Sequence, residues 1–114
     1  MTHHVLFICG KNRLRSPTAE NVFADWEGLE TASAGINRDA DSPVTAELLD
    51  WADTVLVMES SHRAKLTARF GASLRGKRVA SLGIPDDYGY MQPALVELLL
   101  AKVPRHLPPR KQLP

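Results

Sequence analysis

Cysteine is nearly absent from this chain: Cys9 is the only one in 114 residues. A single thiol excludes an internal disulfide and a cysteine-based zinc cluster, so Cys9 is either core or chemistry. Net charge is also nearly absent, with 14 basic against 13 acidic residues giving +1. That balance gives no overall attraction to nucleic acid as a polymer or to a membrane surface. The start has neither a charged leader nor a long apolar run, which points to a cytoplasmic protein. No metal and no cofactor is implied. His3 and His4 are too few for a tag and are expected as solvent-exposed strand-edge residues with no assigned role.

Hydrophobic residues make up 44% of the chain, enough for one core and one domain over residues 1–103. Four prolines and several cations from Pro104 onward predict a flexible tail over 104–114.

Apolar runs alternate with helical patterns. Val5-Leu6-Phe7-Ile8 reads as a buried strand ending at Cys9, and Ala19, Val22, Phe23 and Trp26 recur at helical spacing, predicting a helix over 16–26 stopped by Gly28. Leu29 to Gly35 reads as a second strand, and Ser42-Pro43 as the start of a helix through Trp51. Thr54 to Met58 is a third, fully buried strand, followed by a helix from Ser61 to Phe70 with Gly71 as its left-handed cap. Arg78 to Leu82 is a fourth strand, and Pro93 opens a last helix to Val103. Alternation of this kind predicts an α/β three-layer sandwich: a four-stranded parallel sheet with helices on both faces and a site beyond the strands' carboxyl ends. Cys9 and the segments after Gly35, Met58 and Leu82 meet at that edge. Phe23, Trp26, Trp51 and Phe70 are expected in the core.

A cysteine at a strand end is ordinarily core. The residues after Cys9 set it apart. Gly10, Lys11, Asn12, Arg13, Leu14 and Arg15 join a strand to a helix, where successive backbone N–H groups and the helix start stabilise an anion such as phosphate. The same dipoles favour an anionic, nucleophilic sulfur. Arg15 offers paired donors to two phosphate oxygens, which lysine does not. Asn12 tolerates the left-handed backbone that a tight cup needs. Ser16 is placed to cap the helix and to hydrogen-bond the Cys9 sulfur, and Pro17 suits the first helical position. Expelling an alkoxide or phenoxide from phosphorus calls for an acid, and Asp86 and Asp87 lie in the loop after the fourth strand, with Tyr88 and Tyr90 as candidate walls for an aromatic substrate.

The run from Cys9 to Glu20 resembles the C-x5-R-S-P-x-A-E signature of the low-molecular-weight protein tyrosine phosphatases, in a short bacterial-type form with Rossmann-like topology. Ser33-Ala34-Gly35, Ala52-Asp53 with Val55 to Met58, and Asp86-x-Tyr88 resemble further family segments. The resemblance implies a metal-independent cysteine phosphatase acting through a phosphocysteine on phosphotyrosine-like esters. Cys9 would be nucleophile, Arg15 clamp, Ser16 thiolate stabiliser, Asn12 and Ser33 loop supports, and Asp86 or Asp87 general acid. Two departures stand out. Leu14 replaces the cysteine that usually precedes the arginine, and Lys11 a glycine. The segment between Gly35 and Ser42 is short and lacks a histidine that braces the loop asparagine, for which Arg38 or Asp39 would substitute. Alternatives are a phosphocysteine carrier, a phosphate-binding module, and a phosphoesterase or arsenate reductase relative acting on a small or nucleotide substrate. The expected partner is a phosphoester, protein or small molecule; the sequence sets no oligomeric state.

Overall fold

Five successive apolar residues, Val5 to Cys9, demand cover on both faces, and the chain supplies it. A computed structural model describes residues 2–108. The strands β1 (His3–Cys9), β2 (Leu29–Gly35), β3 (Thr54–Val57) and β4 (Arg78–Ser81) form one sheet in the order β2-β1-β3-β4. All three pairings are parallel. Helices α1 (Arg15–Phe23), α2 (Ala46–Trp51), α3 (Ser60–Phe70) and α4 (Pro93–Lys102) complete the three layers.

Strand periodicity divides the core in two. Val5, Phe7 and Cys9 face Ala19 and Phe23 of α1 and Leu95 and Leu99 of α4. Leu6 and Ile8 face Leu49 of α2 and Leu66 of α3 on the other side. Phe7 and Phe23 stack at 5.9 Å between ring centroids, and both are fully buried. Removing either ring would cost about 3–5 kcal/mol in lost transfer energy and cavity. Trp26, Trp51 and Phe70 pack against these clusters while partly buried.

Several local expectations give way to tertiary contacts. Helix α1 ends at Phe23 rather than Trp26, its continuation replaced by turns that lead to Gly28 at φ +84°. Arg15 occupies the first helical position, so Pro17 sits third, still within the turn whose N–H groups lack helical partners. Ser42-Pro43 does not start α2. Pro43 instead bridges to Gly35, with the Gly35 N–H donating to Ser42 at 2.8 Å and the Val44 N–H to Gly35 at 2.9 Å. Thr45 caps α2 by accepting from the Leu48 N–H at 3.1 Å. Gly71 is not left-handed either: at φ −49° it passes α3 into a 3-10 turn over Gly71–Leu74, and Gly76 at φ +77° makes the reversal. Leu74 gains contact with the core by that continuation.

His3 and His4 are not edge residues, because β1 is central. His4 stacks on Trp51 at 4.5 Å, its Nε2 lies 3.1 Å from Glu30, and its backbone N–H donates to Asp53 at 2.9 Å. The segment expected to be flexible opens with a 3-10 turn over Pro104–His106, and Leu107 packs on the core. Residues 109–114 of that segment lie outside the described residues. Among the described residues no helix is long and apolar enough to cross a membrane.

Candidate active site

If the amides of the loop from Gly10 to Leu14 are to face an anion, its carbonyls need partners elsewhere. Residues 36–41 provide them. The N–H groups of Ile36, Asn37 and Asp41 donate to the carbonyls of Cys9, Gly10 and Lys11 at 2.8, 2.9 and 3.1 Å. Side chains repeat the pattern: Lys11 pairs with Asp39 at 3.1 Å and Arg13 with Asp41 at 3.2 Å. The short segment after β2 is therefore the outer brace of the loop. Gly35 is the point of closest approach, since a Cβ there would lie 2.7 Å from the Gly10 carbonyl oxygen and 2.4 Å from Ala40 Cβ.

Cys9 lies at the bottom of this cup, 3% exposed. Asn12 takes the left-handed conformation, φ +59°, which aims its N–H at Cys9 Sγ, 3.2 Å away. Ser16 Oγ lies 2.9 Å from the same sulfur and 2.8 Å from Asn12 Oδ1. A hydroxyl carries one hydrogen, so the protonation of Cys9 decides the pattern. With a thiol, Cys9 donates to Ser16 and Ser16 to Asn12. With a thiolate, Ser16 donates to Sγ, and its contact with Asn12 persists only if the amide turns its Nδ2 inward. Ser16 does not cap α1, whose first position lies before it; the hydroxyl is committed to Cys9 and Asn12. Ser16, and neither Arg38 nor Asp39, braces Asn12.

Arg15 is 4% exposed and fixed on two sides. Its Nη1 donates to Glu59 Oε2 and to the Ile84 carbonyl, each at 2.8 Å, and its Nε lies 3.7 Å from Asp86 Oδ1. Asp86 lines the cup with Cys9, Gly10, Lys11, Arg13, Leu14 and Arg15, while Asp87 is exposed and outside it. Tyr88 packs on the core, and the Tyr90 hydroxyl accepts from Asn21 at 2.9 Å, so neither tyrosine walls the cup. Ser33 donates to Glu20 at 2.5 Å rather than to the loop.

Five further residues complete the lining: Asn37, Glu59, Ser61, His62 and Lys65. Four of them lie after β3 at the sheet's carboxyl end, the edge where the strand order places a ligand. Glu59 and His62 cap α3 reciprocally, the Glu59 backbone N–H donating to His62 Nδ1 at 3.2 Å. The hydrogen bond from Arg15 holds the Glu59 carboxyl below its ordinary range. Burial, with the Arg15 charge beside it, pushes the His62 imidazole down, against a smaller opposite pull from Glu59. The cup thus holds a sulfur with two hydrogen-bond partners, a fixed guanidinium, a carboxyl at its lip and an imidazole whose protonation burial disfavours. Among the described residues no group of three or more His, Cys, Asp or Glu could hold a metal ion.

No family model and no curated protein matches the chain by sequence. Solved structures do match in three dimensions. The tyrosine phosphatase Wzb from Escherichia coli K30, in complex with phosphate, is 25% identical with a TM-score of 0.72, covering 93% of this chain and 96% of its own. The YwlE arginine phosphatase from Geobacillus stearothermophilus is 24% identical with a TM-score of 0.73, covering 91% and 92%. SP-PTP, the low molecular weight protein tyrosine phosphatase from Streptococcus pyogenes, matches with a TM-score of 0.76 at 14% identity, over 95% of both chains. With the Cys9–Arg15 loop set at the edge of the same fold, the chain is a structural relative of the low-molecular-weight protein tyrosine phosphatases.

Proposed function

We propose that this protein is a cysteine phosphatase that hydrolyses phosphomonoesters through a phosphocysteine intermediate. One arrangement carries the proposal: Cys9 Sγ at the base of the cup, within 2.9 Å of Ser16 Oγ and 3.2 Å of the Asn12 N–H, beneath Arg15. In the first step the Cys9 sulfur attacks phosphorus, the bond from phosphorus to the ester oxygen breaks, and Asp86 gives its proton to the leaving alkoxide or phenoxide. Arg15 and the loop N–H groups hold the phosphoryl oxygens in both steps, supplying the charge stabilisation that the chemistry needs without a metal ion. In the second step the Asp86 carboxylate takes a proton from water, the water oxygen bonds to phosphorus, and the sulfur–phosphorus bond breaks to release phosphate and restore Cys9.

The structural relatives include a tyrosine phosphatase and an arginine phosphatase, which fits a common cup with differing leaving groups. An aryl ester such as phosphotyrosine is the simplest substrate, because phenoxide leaves readily. The carrier and binding-module alternatives need no acid at the lip, and Asp86 stands there.

The test is hydrolysis of phosphotyrosine and 4-nitrophenyl phosphate by the parent and Cys9→Ser proteins in chelator between pH 5 and 8. Turnover by the parent and none by Cys9→Ser, which still binds inorganic phosphate, is the expected result. Activity retained in Cys9→Ser, or restored only by added metal, would overturn the mechanism.

A further inference from the structure

A phosphoryl group fills only part of the cup. The cavity measures about 430 Å³, and a group of four oxygens, at about 30 Å³ per water-sized unit, takes up roughly a quarter of that. The remainder decides what else of the substrate is held. Among the described residues no Phe, Tyr or Trp lines it, and Leu14 is its one large apolar side chain. An aromatic leaving group would find no ring to stack on.

What lines the open side is charge and hydrogen-bonding capacity. Lys11 and Arg13 are matched by Asp39 and Asp41. Lys65 lines the same cavity with no carboxylate partner among the described residues. It stands one helical turn after Ser61, so both side chains project from one face of α3 toward the cavity. Ser61 lies in the first turn of this eleven-residue helix, whose capping carboxylate, Glu59, is paired with Arg15.

We propose that the Ser61–Lys65 side of the cup is a second anion subsite, so that the preferred substrate is a small, polar phosphomonoester carrying a second anionic group, phosphate or carboxylate. This rests on the phosphatase reading and narrows it. The scissile phosphate sits on the Cys9 loop under Arg15. The second anion meets Lys65 and Ser61 across the cavity, which makes Lys65 a specificity-determining residue rather than a catalytic one.

The test compares substrates with similar alkyl leaving groups. Glycerol 3-phosphate has no second anion, 3-phosphoglycerate adds a carboxylate, and fructose 1,6-bisphosphate adds a phosphate, which separates the two sources of charge. At low ionic strength the parent is expected to show kcat/KM about 3–5-fold higher for one or both substrates that carry a second anionic group than for glycerol 3-phosphate, as one exposed charge pair allows. Lys65→Ala should erase that preference, and Lys65→Arg keep it. Both variants should hydrolyse 4-nitrophenyl phosphate within about twofold of the parent, which also shows that they fold. No preference in the parent, or a preference that survives Lys65→Ala, overturns the subsite while 4-nitrophenyl phosphate turnover leaves the phosphatase standing. A parent inactive on all four substrates overturns both.

Discussion

Glu59 Oε2 accepts a hydrogen bond from Arg15 Nη1 at 2.8 Å, and that nitrogen also donates to the Ile84 carbonyl at 2.8 Å. The guanidinium is thereby oriented by the protein's own acceptors, with Glu59 fixed in turn by its capping exchange with His62. Glu59→Gln keeps an oxygen acceptor but removes the charge, and a charge-assisted bond is worth about 1 kcal/mol more than a neutral one. A fall in kcat of about 3–10-fold with little change in KM is expected from steady-state kinetics on 4-nitrophenyl phosphate. If KM falls instead and kcat holds, Glu59 competes with substrate for Arg15 rather than positioning it.

Much of this site is legible in the sequence, because the chemistry imposes local rules. The loop needs a left-handed residue, and Asn12 supplies it at φ +59°. The alternation of apolar runs and helical spacing is enough for a parallel sheet. Residues whose position depends on remote partners are not legible. Glu59 and His62 reach the cup because β3 ends beside β1, and only the expectation that the segment after Met58 arrives at this edge points there. Residue type alone suggests Tyr88 and Tyr90 at the cup, yet the core and Asn21 hold them elsewhere. Gly71 and Ser42-Pro43 carry sound local signals for a cap and a helix start. Core packing by Leu74 and the bridge from Pro43 to Gly35 override both.

The two adjacent aspartates are separated by geometry. Asp86 lines the cup 3.7 Å from Arg15 Nε, and Asp87 is turned to solvent. Asp86→Asn should slow alkyl phosphates, whose leaving groups need a proton, by about 10²-fold or more, and 4-nitrophenyl phosphate much less. Asp87→Asn should stay within about twofold on both. Equal losses in the two variants would remove the assignment of the acid to Asp86.

Gly35 and Gly28 predict opposite outcomes from the same substitution. At Gly35 a Cβ would meet Ala40 Cβ at 2.4 Å, the Gly10 oxygen at 2.7 Å and the Lys11 carbonyl carbon at 3.0 Å. Gly35→Ala must push the Gly10–Leu14 loop from its brace, and a loss of about 10²-fold in kcat/KM with roughly 1–3 kcal/mol of stability is expected. Adding Ala40→Gly relieves one contact and leaves the backbone ones, so it should not restore activity. Gly28, at φ +84°, has nothing within 4 Å of a Cβ. Gly28→Ala should cost about 1 kcal/mol in urea unfolding and leave kcat/KM unchanged.

His62 makes stability depend on pH in a defined direction. Its Nδ1 accepts from the Glu59 N–H at 3.2 Å, so a proton added there would break the cap of α3. Burial and Arg15 lower the folded-state pKa below the ordinary 6.5. Between those two values the unfolded chain binds a proton that the folded one does not, so stability rises with pH. It is fully present above about 6.5 and is lost as pH falls through that window, at no more than about 1.4 kcal/mol per pH unit from this group. His106, lowered by burial and by Arg78 and Arg105, contributes with the same sign. The carboxylates of Glu59, Asp39 and Asp53 are also lowered, but act only below their ordinary values of 4.5 and 3.8. Melting temperatures from pH 7.5 to 5 should therefore fall in the parent, fall less in His62→Gln, whose amide oxygen can keep the cap, and flatten in the variant that adds His106→Gln. A His62→Gln protein with the parent's full slope would show that the proton is taken up elsewhere.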